Sequence, residues 1–244
     1  METNKLDGTH SIGETNKSTG LSILEKLGVT PLINAGGPNT KHSGSRPRAE
    51  STDAMNAMSE VFVDLEELLL AAGNEIAQLT GNEAATVTSG ASGGLVVQAA
   101  AAMAKDDPER IAQLPITNGI PNELIIQRGH RFVYDHLYLA SGSHFVEVGR
   151  TTDCTIEEID AAIGPNTAAL IHLESPYKEK TGVPLTELSD LAHSHGLPVL
   201  ADCASMLPPR ENLTKYTSQG ADLVSFSGGK AVRGPQSTGF LVGK

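Results

Sequence analysis

The sequence has no tryptophan and only four tyrosines and five phenylalanines in 244 residues. So few rings exclude a base-stacking platform for single-stranded nucleic acid. Cations are in deficit too: 18 Lys and Arg stand against 29 Asp and Glu, a formal charge of −11 at neutral pH. No block of basic residues is available to displace counterions from a phosphate backbone, so unassisted nucleic-acid binding is not expected. Two cysteines, Cys154 and Cys203, are too few for a disulfide framework and point to a reducing compartment. No apolar run approaches the roughly 20 residues of a membrane helix, and the mean hydropathy is −0.15. The first residues, Met-Glu-Thr-Asn-Lys-Leu-Asp-Gly, carry acids and no apolar core, so they do not read as a signal peptide and a cytoplasmic location is expected.

What the chain does have is 25 glycines and long alanine-rich stretches, a composition that lets helices pack closely on a sheet. The length suits one large domain or two small ones. Residues 1–20 are polar and read as a flexible leader. Residues 21–48 read as a short helix over Ser22–Leu27, stopped by Gly28, and then an extended arm from Pro31 to Ser45 that ends in Arg46 and Arg48. Residues 49–244 form the main body. Within it Phe62, Leu65, Leu69, Ala72, Ile76 and Leu79 recur at helical spacing before Gly81.

A regular alternation follows. Strands are expected at Ala84–Thr88, Leu124–Gln127, Phe145–Val148, Ala168–Leu173, Pro198–Ala201, Leu223–Phe226 and Gly239–Val242. Helical patterns lie between them at Ala91–Ala104, Phe132–Ala140, Ile156–Ile163, Leu185–His195 and Leu213–Gln219, with a capping box at Thr155 and Glu158. Residues 105–122 read as a surface loop, and Met55, Met58 and Met103 as core candidates. The pattern predicts an α/β fold: a three-layer α/β/α arrangement around a mostly parallel seven-stranded sheet. In such sheets ligands bind at the carboxyl ends of the strands, so chemistry is sought in the loops that follow them.

Three such loops stand out. Lys230 follows two glycines at the end of an apolar run, where Ser225 and Ser227 supply hydroxyls; an amine there suits Schiff-base chemistry, although an anion site or a plain surface lysine has the same signature. Asp202 ends the run Pro-Val-Leu-Ala-Asp and can hold a ring nitrogen protonated, or simply cap a turn. Residues 88–94, Thr-Ser-Gly-Ala-Ser-Gly-Gly, join a strand to a helix and offer amides and hydroxyls to a phosphate, or form a turn that binds nothing. They lack the dinucleotide and Walker signatures. Taken together the three match pyridoxal 5′-phosphate, which brings an aldehyde, a basic ring nitrogen and a phosphate, one for each loop. No metal site is expected: His193 and His195 lack further ligands and read as solvated, and Cys203 reads as a small buried residue.

The run Gly-Ala-Asp-Leu-Val-Ser-Phe-Ser-Gly-Gly-Lys-Ala-Val-Arg-Gly-Pro-Gln-Ser-Thr-Gly-Phe-Leu-Val-Gly (residues 220–243) resembles the lysine motif of fold-type I pyridoxal phosphate enzymes. Within them the chain is similar to the selenocysteine synthase-like group, which includes D-glucosaminate-6-phosphate ammonia-lyase-type proteins. Residues 27–37, 88–94 and 202–209 fit the same group. The resemblance implies Lys230 as the Schiff-base lysine and Asp202 as the partner of the pyridine nitrogen. It implies phosphate contacts from Ser89, Gly90, Ala91, Ser92 and Ser227, and Ala204 against one ring face. His130 is then the candidate for the other face and Ser175 for the phenolic oxygen. Arg46 and Arg48 are candidate substrate contacts, because Ser-Gly-Ser-Arg-Pro (residues 43–47) replaces the group's usual Gly-Gly-Ser.

The expected activity is elimination from an amino acid or amino sugar acid with ammonia release. Selenium or sulfur transfer onto a seryl group, transamination, racemisation, and a catalytically incomplete cofactor-binding fragment stay open. The resemblance also implies a C-terminal small domain, which is expected to be absent here, and a homodimer or larger homo-oligomer. The charge, and the lack of the group's tRNA-binding N-terminal extension, argue against a tRNA substrate.

Overall fold

The computed structural model describes residues 12–179 and 181–244, and divides into two units, 1–37 and 38–244. In the first unit helix α1 runs over Ile12–Lys26, starting ten residues before the expected Ser22. It therefore enters the stretch read as a leader, of which residues 1–11 lie outside the described residues. Beyond it Asn34 folds the chain into a turn, accepting from the Gly36 amide at 3.0 Å and donating to the Gly37 carbonyl at 2.9 Å.

The second unit opens with α2 (Ala49–Met58) and α3 (Leu65–Thr80). Asp64 caps α3, its carboxylate accepting from the Glu66 and Glu67 amides, and Gly81 stops it in the left-handed conformation. Phe62 therefore lies outside the helix and is fully exposed, as are Leu65 and Leu70 to two thirds. Only the small side of α3 is buried. A Cβ on Gly73 would stand 2.2 Å from the Ala85 carbonyl, so the helix backbone rests directly on the first strand.

The strands are β1 (Ala84–Thr88), β2 (Glu123–Gln127), β3 (His144–Val148), β4 (Thr167–Leu173), β5 (Val199–Asp202), β6 (Leu223–Ser227) and β7 (Gly239–Gly243). They form one sheet in the order β1-β7-β6-β5-β4-β2-β3. Every neighbouring pair is parallel except the two that β7 makes. The carboxyl ends of the other six strands consequently lie along one edge.

Side chains alternate between two cores, as the period of a strand requires. Ile125, Leu170, Val199, Ala201 and Phe226 face one side, where α6 (Ile156–Ala162), α7 (Leu185–Ser194) and α8 (Asn212–Ser218) cover them through Ile159, Leu188, Ala192 and Tyr216. Leu124, Ile126, Ala169, Ile171 and Leu200 face the other, against Leu95, Ala99 and Met103 of α4 (Gly90–Ala104). The result is the three-layer α/β/α fold.

Three details differ from the sequence reading. The stretch 132–140 is a 3₁₀ helix over Asp135–Ser141, and the loop 105–122 contains α5 (Pro108–Gln113), capped by Asp107 with proline in its first turn. Met103 is buried, but Met55 and Met58 are exposed. Among the described residues no helix is long and apolar enough to cross a membrane.

Candidate functional site

The parallel register brings three loops together. Thr88, at the end of β1, lies opposite Gly239 of β7, which lies opposite Ser227 at the end of β6; Asp202, at the end of β5, pairs with Ser225 of β6. The turn after β1, the lysine loop after β6 and the acid that ends β5 thus share one stretch of the sheet edge.

Asp202 is 3% exposed and forms no ion pair within 4 Å among the described residues. Its Oδ1 accepts from the Ala204 amide at 2.9 Å. Burial raises its pKa from 3.8 to about 6, against the opposing pull of that amide and of Lys230. A buried carboxylate in this condition gains from a cationic hydrogen-bond donor placed beside it.

Lys230 Nζ donates to Ser205 Oγ at 2.6 Å. Burial lowers the lysine's pKa, while Asp202 acts the other way. The lysine loop is held from below and from the side. Gly228 donates to the Thr238 carbonyl at 2.8 Å and Gly234 to the Gly228 carbonyl at 2.9 Å, so the chain closes on itself. Ser45 donates to the Gly229 carbonyl through both its amide (2.9 Å) and its hydroxyl (3.0 Å).

The turn of residues 88–94, the candidate phosphate cradle, leads into the start of α4. Ser89, the residue at its N-cap position, makes no side-chain capping bond, and Ser89 and Ser92 are exposed with Gly90 and Ala91 half-buried between them. The first amides of a helix lack intrahelical acceptors, so this end could offer donors and a positive dipole to an anion. Ser225 Oγ donates to the Ala91 carbonyl at 3.1 Å, tying the cradle to β6. Gly94 makes room for that hydroxyl: a Cβ there would stand 2.3 Å from it.

His130 is buried at the end of a 3₁₀ turn after β2, where its Nδ1 accepts from the Leu173 amide at 3.3 Å, edge-on to His172 at 4.6 Å between centroids. Leu173 is the register partner of Asp202, so His130 lies one strand away from the acid. Burial, then the nearby His172, bring its pKa down to about 3. Ser175 accepts from the Tyr177 amide at 3.2 Å and so stabilises a turn. It lines a cavity with His130, His172, Glu174 and Lys178 to which neither Lys230 nor Asp202 contributes. Arg46 and Arg48 are exposed; what reaches the lysine loop is their backbone, the Arg46 carbonyl accepting from Arg233 Nε and the Arg48 amide donating to the Arg233 carbonyl.

Two features escaped the sequence reading. Ser205 carries no motif signal of its own. Beneath Asp202, Tyr138 and Gln98 form a buried polar layer, Tyr138 donating to Gln98 at 3.3 Å while Gln98 donates to the Ala201 and Leu223 carbonyls at 3.1 Å each. Their positions 40 residues apart give no hint of the contact.

Residues 52–244 match the L-seryl-tRNA selenium transferase family. The chain belongs to that family. Proteins similar to it include a 5′-C-glycyluridine monooxygenase-decarboxylase from Streptomyces sp, 34% identical over 238 residues that cover 94% of this chain and 58% of the relative. The D-glucosaminate-6-phosphate ammonia lyase of Salmonella typhimurium (strain 14028s / SGSC 2262) is 31% identical over 228 residues, 91% of this chain and 60% of the relative. A solved D-glucosaminate-6-phosphate ammonia-lyase superposes with a TM-score of 0.85 at 31% identity, covering 91% of this chain and 60% of that one. This family member therefore spans about three fifths of the length of these relatives.

Proposed function

We propose that residues 49–244 are the cofactor-binding domain of a pyridoxal 5′-phosphate enzyme that acts by elimination on an amino acid or amino sugar acid, with ammonia release. The observation that carries this reading is the placement of one amine, one isolated buried carboxylate and one uncapped helix start along a single sheet edge. The residues fit the cofactor. Asp202 is buried and forms no ion pair within 4 Å among the described residues, which suits it to a protonated ring nitrogen, and the helix start has donors to spare.

When bound, the cofactor supplies an aldehyde for amine exchange and a ring that accepts the electron pair released at Cα. Lys230 would hold it and move the proton at Cα, for which burial equips its amine by lowering the pKa toward the working range. Asp202 would keep the ring nitrogen charged by accepting its hydrogen bond. The amides of Gly90, Ala91 and Ser92, with the hydroxyls of Ser89, Ser92 and Ser227, would bind the phosphate. Ala204 and His130 would flank the ring, His130 as a neutral imidazole. Ser175 would serve the ring's phenolic oxygen, and the exposed side chains of Arg46 and Arg48 would serve as substrate contacts. Ammonia release is favoured over selenium transfer by the similarity to the ammonia lyase and by the charge of −11, which disfavours a tRNA. A homodimer accords with the exposed apolar side chains of Phe62, Leu65, Leu69 and Leu70.

The deciding experiment is a visible titration of the protein and of Lys230→Ala with pyridoxal 5′-phosphate. The unsubstituted chain is expected to shift the aldehyde absorption and the variant to leave it as free cofactor. Identical spectra for the two proteins would remove Lys230 from its role. Ammonia detection with a panel of amino sugar acids then tests the reaction.

A further inference from the structure

We propose that Ser205 is a positioning residue for Lys230, its hydroxyl fixing the place and the proton affinity of the lysine amine whenever that amine is free. The inference deepens the proposed function, in which Lys230 must alternate between holding the cofactor and moving a proton.

The geometry begins with the sheet. β5 and β6 are adjacent and parallel, so the loop after Asp202 and the loop after Ser227 emerge side by side. Ser205 lies only three residues past Asp202, and that short span is fixed at its start by the Ala204 amide on the Asp202 carboxylate and by the Cys203 amide on the Ser225 carbonyl at 3.0 Å. The Met206 amide, next along, donates to the Cys203 carbonyl at 3.0 Å. The hydroxyl is thus carried on a rigid turn, whereas the lysine reaches it on a flexible four-carbon stem. A free lysine side chain keeps up to about 2 kcal/mol of rotamer freedom. A fixed acceptor at 2.6 Å selects one arrangement out of that freedom.

The same bond acts on protonation. An ammonium has three N–H donors and is stabilised by each acceptor it finds, which an uncharged amine needs less. Burial and the Ser205 hydroxyl therefore push in opposite directions: burial disfavours the charged amine and the hydroxyl favours it. Serine does not itself titrate in the working range, so it can hold the amine without competing for the proton. The carboxylate of Asp202 also favours the ammonium, but it is directed to the Ala204 amide. Among the described residues the Ser205 hydroxyl is the hydrogen-bond partner of Nζ.

The test reads Lys230 in the full chain without cofactor. Trace acetylation with acetic anhydride across a pH series, followed by peptide mass spectrometry, gives the titration midpoint of Lys230, with the exposed Lys244 as internal standard. Ser205→Ala is expected to lower the Lys230 midpoint by about one pH unit, the size of shift that loss of one charge-assisted hydrogen bond produces. Ser205→Thr, which keeps the hydroxyl, is expected to restore it. If Ser205→Ala does not fold, Ser205→Gly, which likewise has no side-chain acceptor and nothing that titrates, carries the same expectation. An unchanged midpoint in Ser205→Ala or Ser205→Gly, or a threonine variant that shifts as far as alanine, overturns the proposal. The outcome is separate from that of the cofactor titration: failure of Lys230→Ala to change the spectrum defeats the proposed function, while an unmoved midpoint defeats only the role of Ser205.

Discussion

Ser225 Oγ occupies the space that a side chain at Gly94 would need, lying 2.3 Å from where its Cβ would be, and it spends its proton on the Ala91 carbonyl. One hydroxyl on β6 therefore sets how closely α4 approaches the sheet and where the cradle sits. Gly94→Ala is expected to cost about 1–3 kcal/mol, the usual penalty for overpacking a tight contact. It should also weaken cofactor binding several-fold, because the helix start must move. The double variant Gly94→Ala/Ser225→Ala is expected to recover part of both losses, since the clash is with the hydroxyl oxygen. Urea unfolding and cofactor titration of the three proteins measure the coupling; strict additivity would mean that the contact does not set the spacing.

Asp202 gives the chain a pH signature. Its carboxyl titrates at about 6 in the folded chain and near 3.8 when unfolded, so between those values the folded form keeps a proton that the unfolded form has lost. The stability tied to this group is complete below about pH 4 and is lost as pH rises through 6, amounting to about 3 kcal/mol at 1.36 kcal/mol per unit. Asp202→Asn removes the titration and keeps an acceptor for the Ala204 amide. Without cofactor, the variant's stability relative to the parent should rise across that window and level off above it. Urea midpoints at a series of pH values check this, and a difference that stays flat would contradict the isolation of the carboxylate.

The strands were legible because both faces of the sheet are covered: Leu124, Ile125 and Ile126 form an unbroken apolar run with turns at either end, and each residue finds a core. The places of Asp202 at the end of β5 and of Lys230 just after β6 were legible because each follows an apolar run. The helix α2 was not, since its sequence Ala-Glu-Ser-Thr-Asp-Ala-Met-Asn-Ala-Met has no apolar stripe and none of its residues is buried. In α3 the stripe misled about burial: it marked the helix correctly, but the sheet takes the small residues Gly73 and Ala77 and leaves the leucines outside. Ser205 and the Tyr138–Gln98 pair depend on which strands become neighbours, and that is a property of the assembled sheet.

Arg233 stands in the left-handed region at φ 60°, a conformation that costs a non-glycine residue about 1 kcal/mol or more. Its carbonyl and its Nε hold the arm at Arg48 and Arg46. Glycine at this position would relieve the backbone and lose the side-chain bond, whereas alanine would lose the bond and keep the strain. Arg233→Ala is accordingly expected to be less stable than Arg233→Gly by about 1 kcal/mol. Thermal unfolding of both variants measures the order, and the reverse order would show that the loop does not retain this conformation.

Leu65 and Leu69 lie one turn apart on α3 and are both exposed, beside an exposed Leu70. Such a row favours association in water. Leu69→Lys is expected to shift sedimentation toward the monomer while leaving the thermal transition in place, because the residue contributes little to the described core. A monomeric parent chain at working concentration would contradict the proposed homodimer.

His130 accepts the Leu173 amide at Nδ1, which places the proton of the neutral ring on Nε2. Burial, reinforced by His172, brings the pKa to about 3. For a histidine lowered in this way the folded form resists protonation, so the stability tied to neutral His130 is full above the ordinary 6.5 and declines as pH falls toward 3. This trend opposes that of Asp202, and the two are separable by site. In a ¹⁵N-labelled sample the His130 ring nitrogens are expected to show the Nε2–H form with shifts constant between about pH 5 and 8, a range in which an ordinary histidine titrates. His130→Gln should abolish the signal and weaken cofactor binding with little change in its pH dependence, because a neutral ring offers surface and not charge. A titration midpoint near 6.5 for His130 would place the ring in solvent and remove it from the wall of the site.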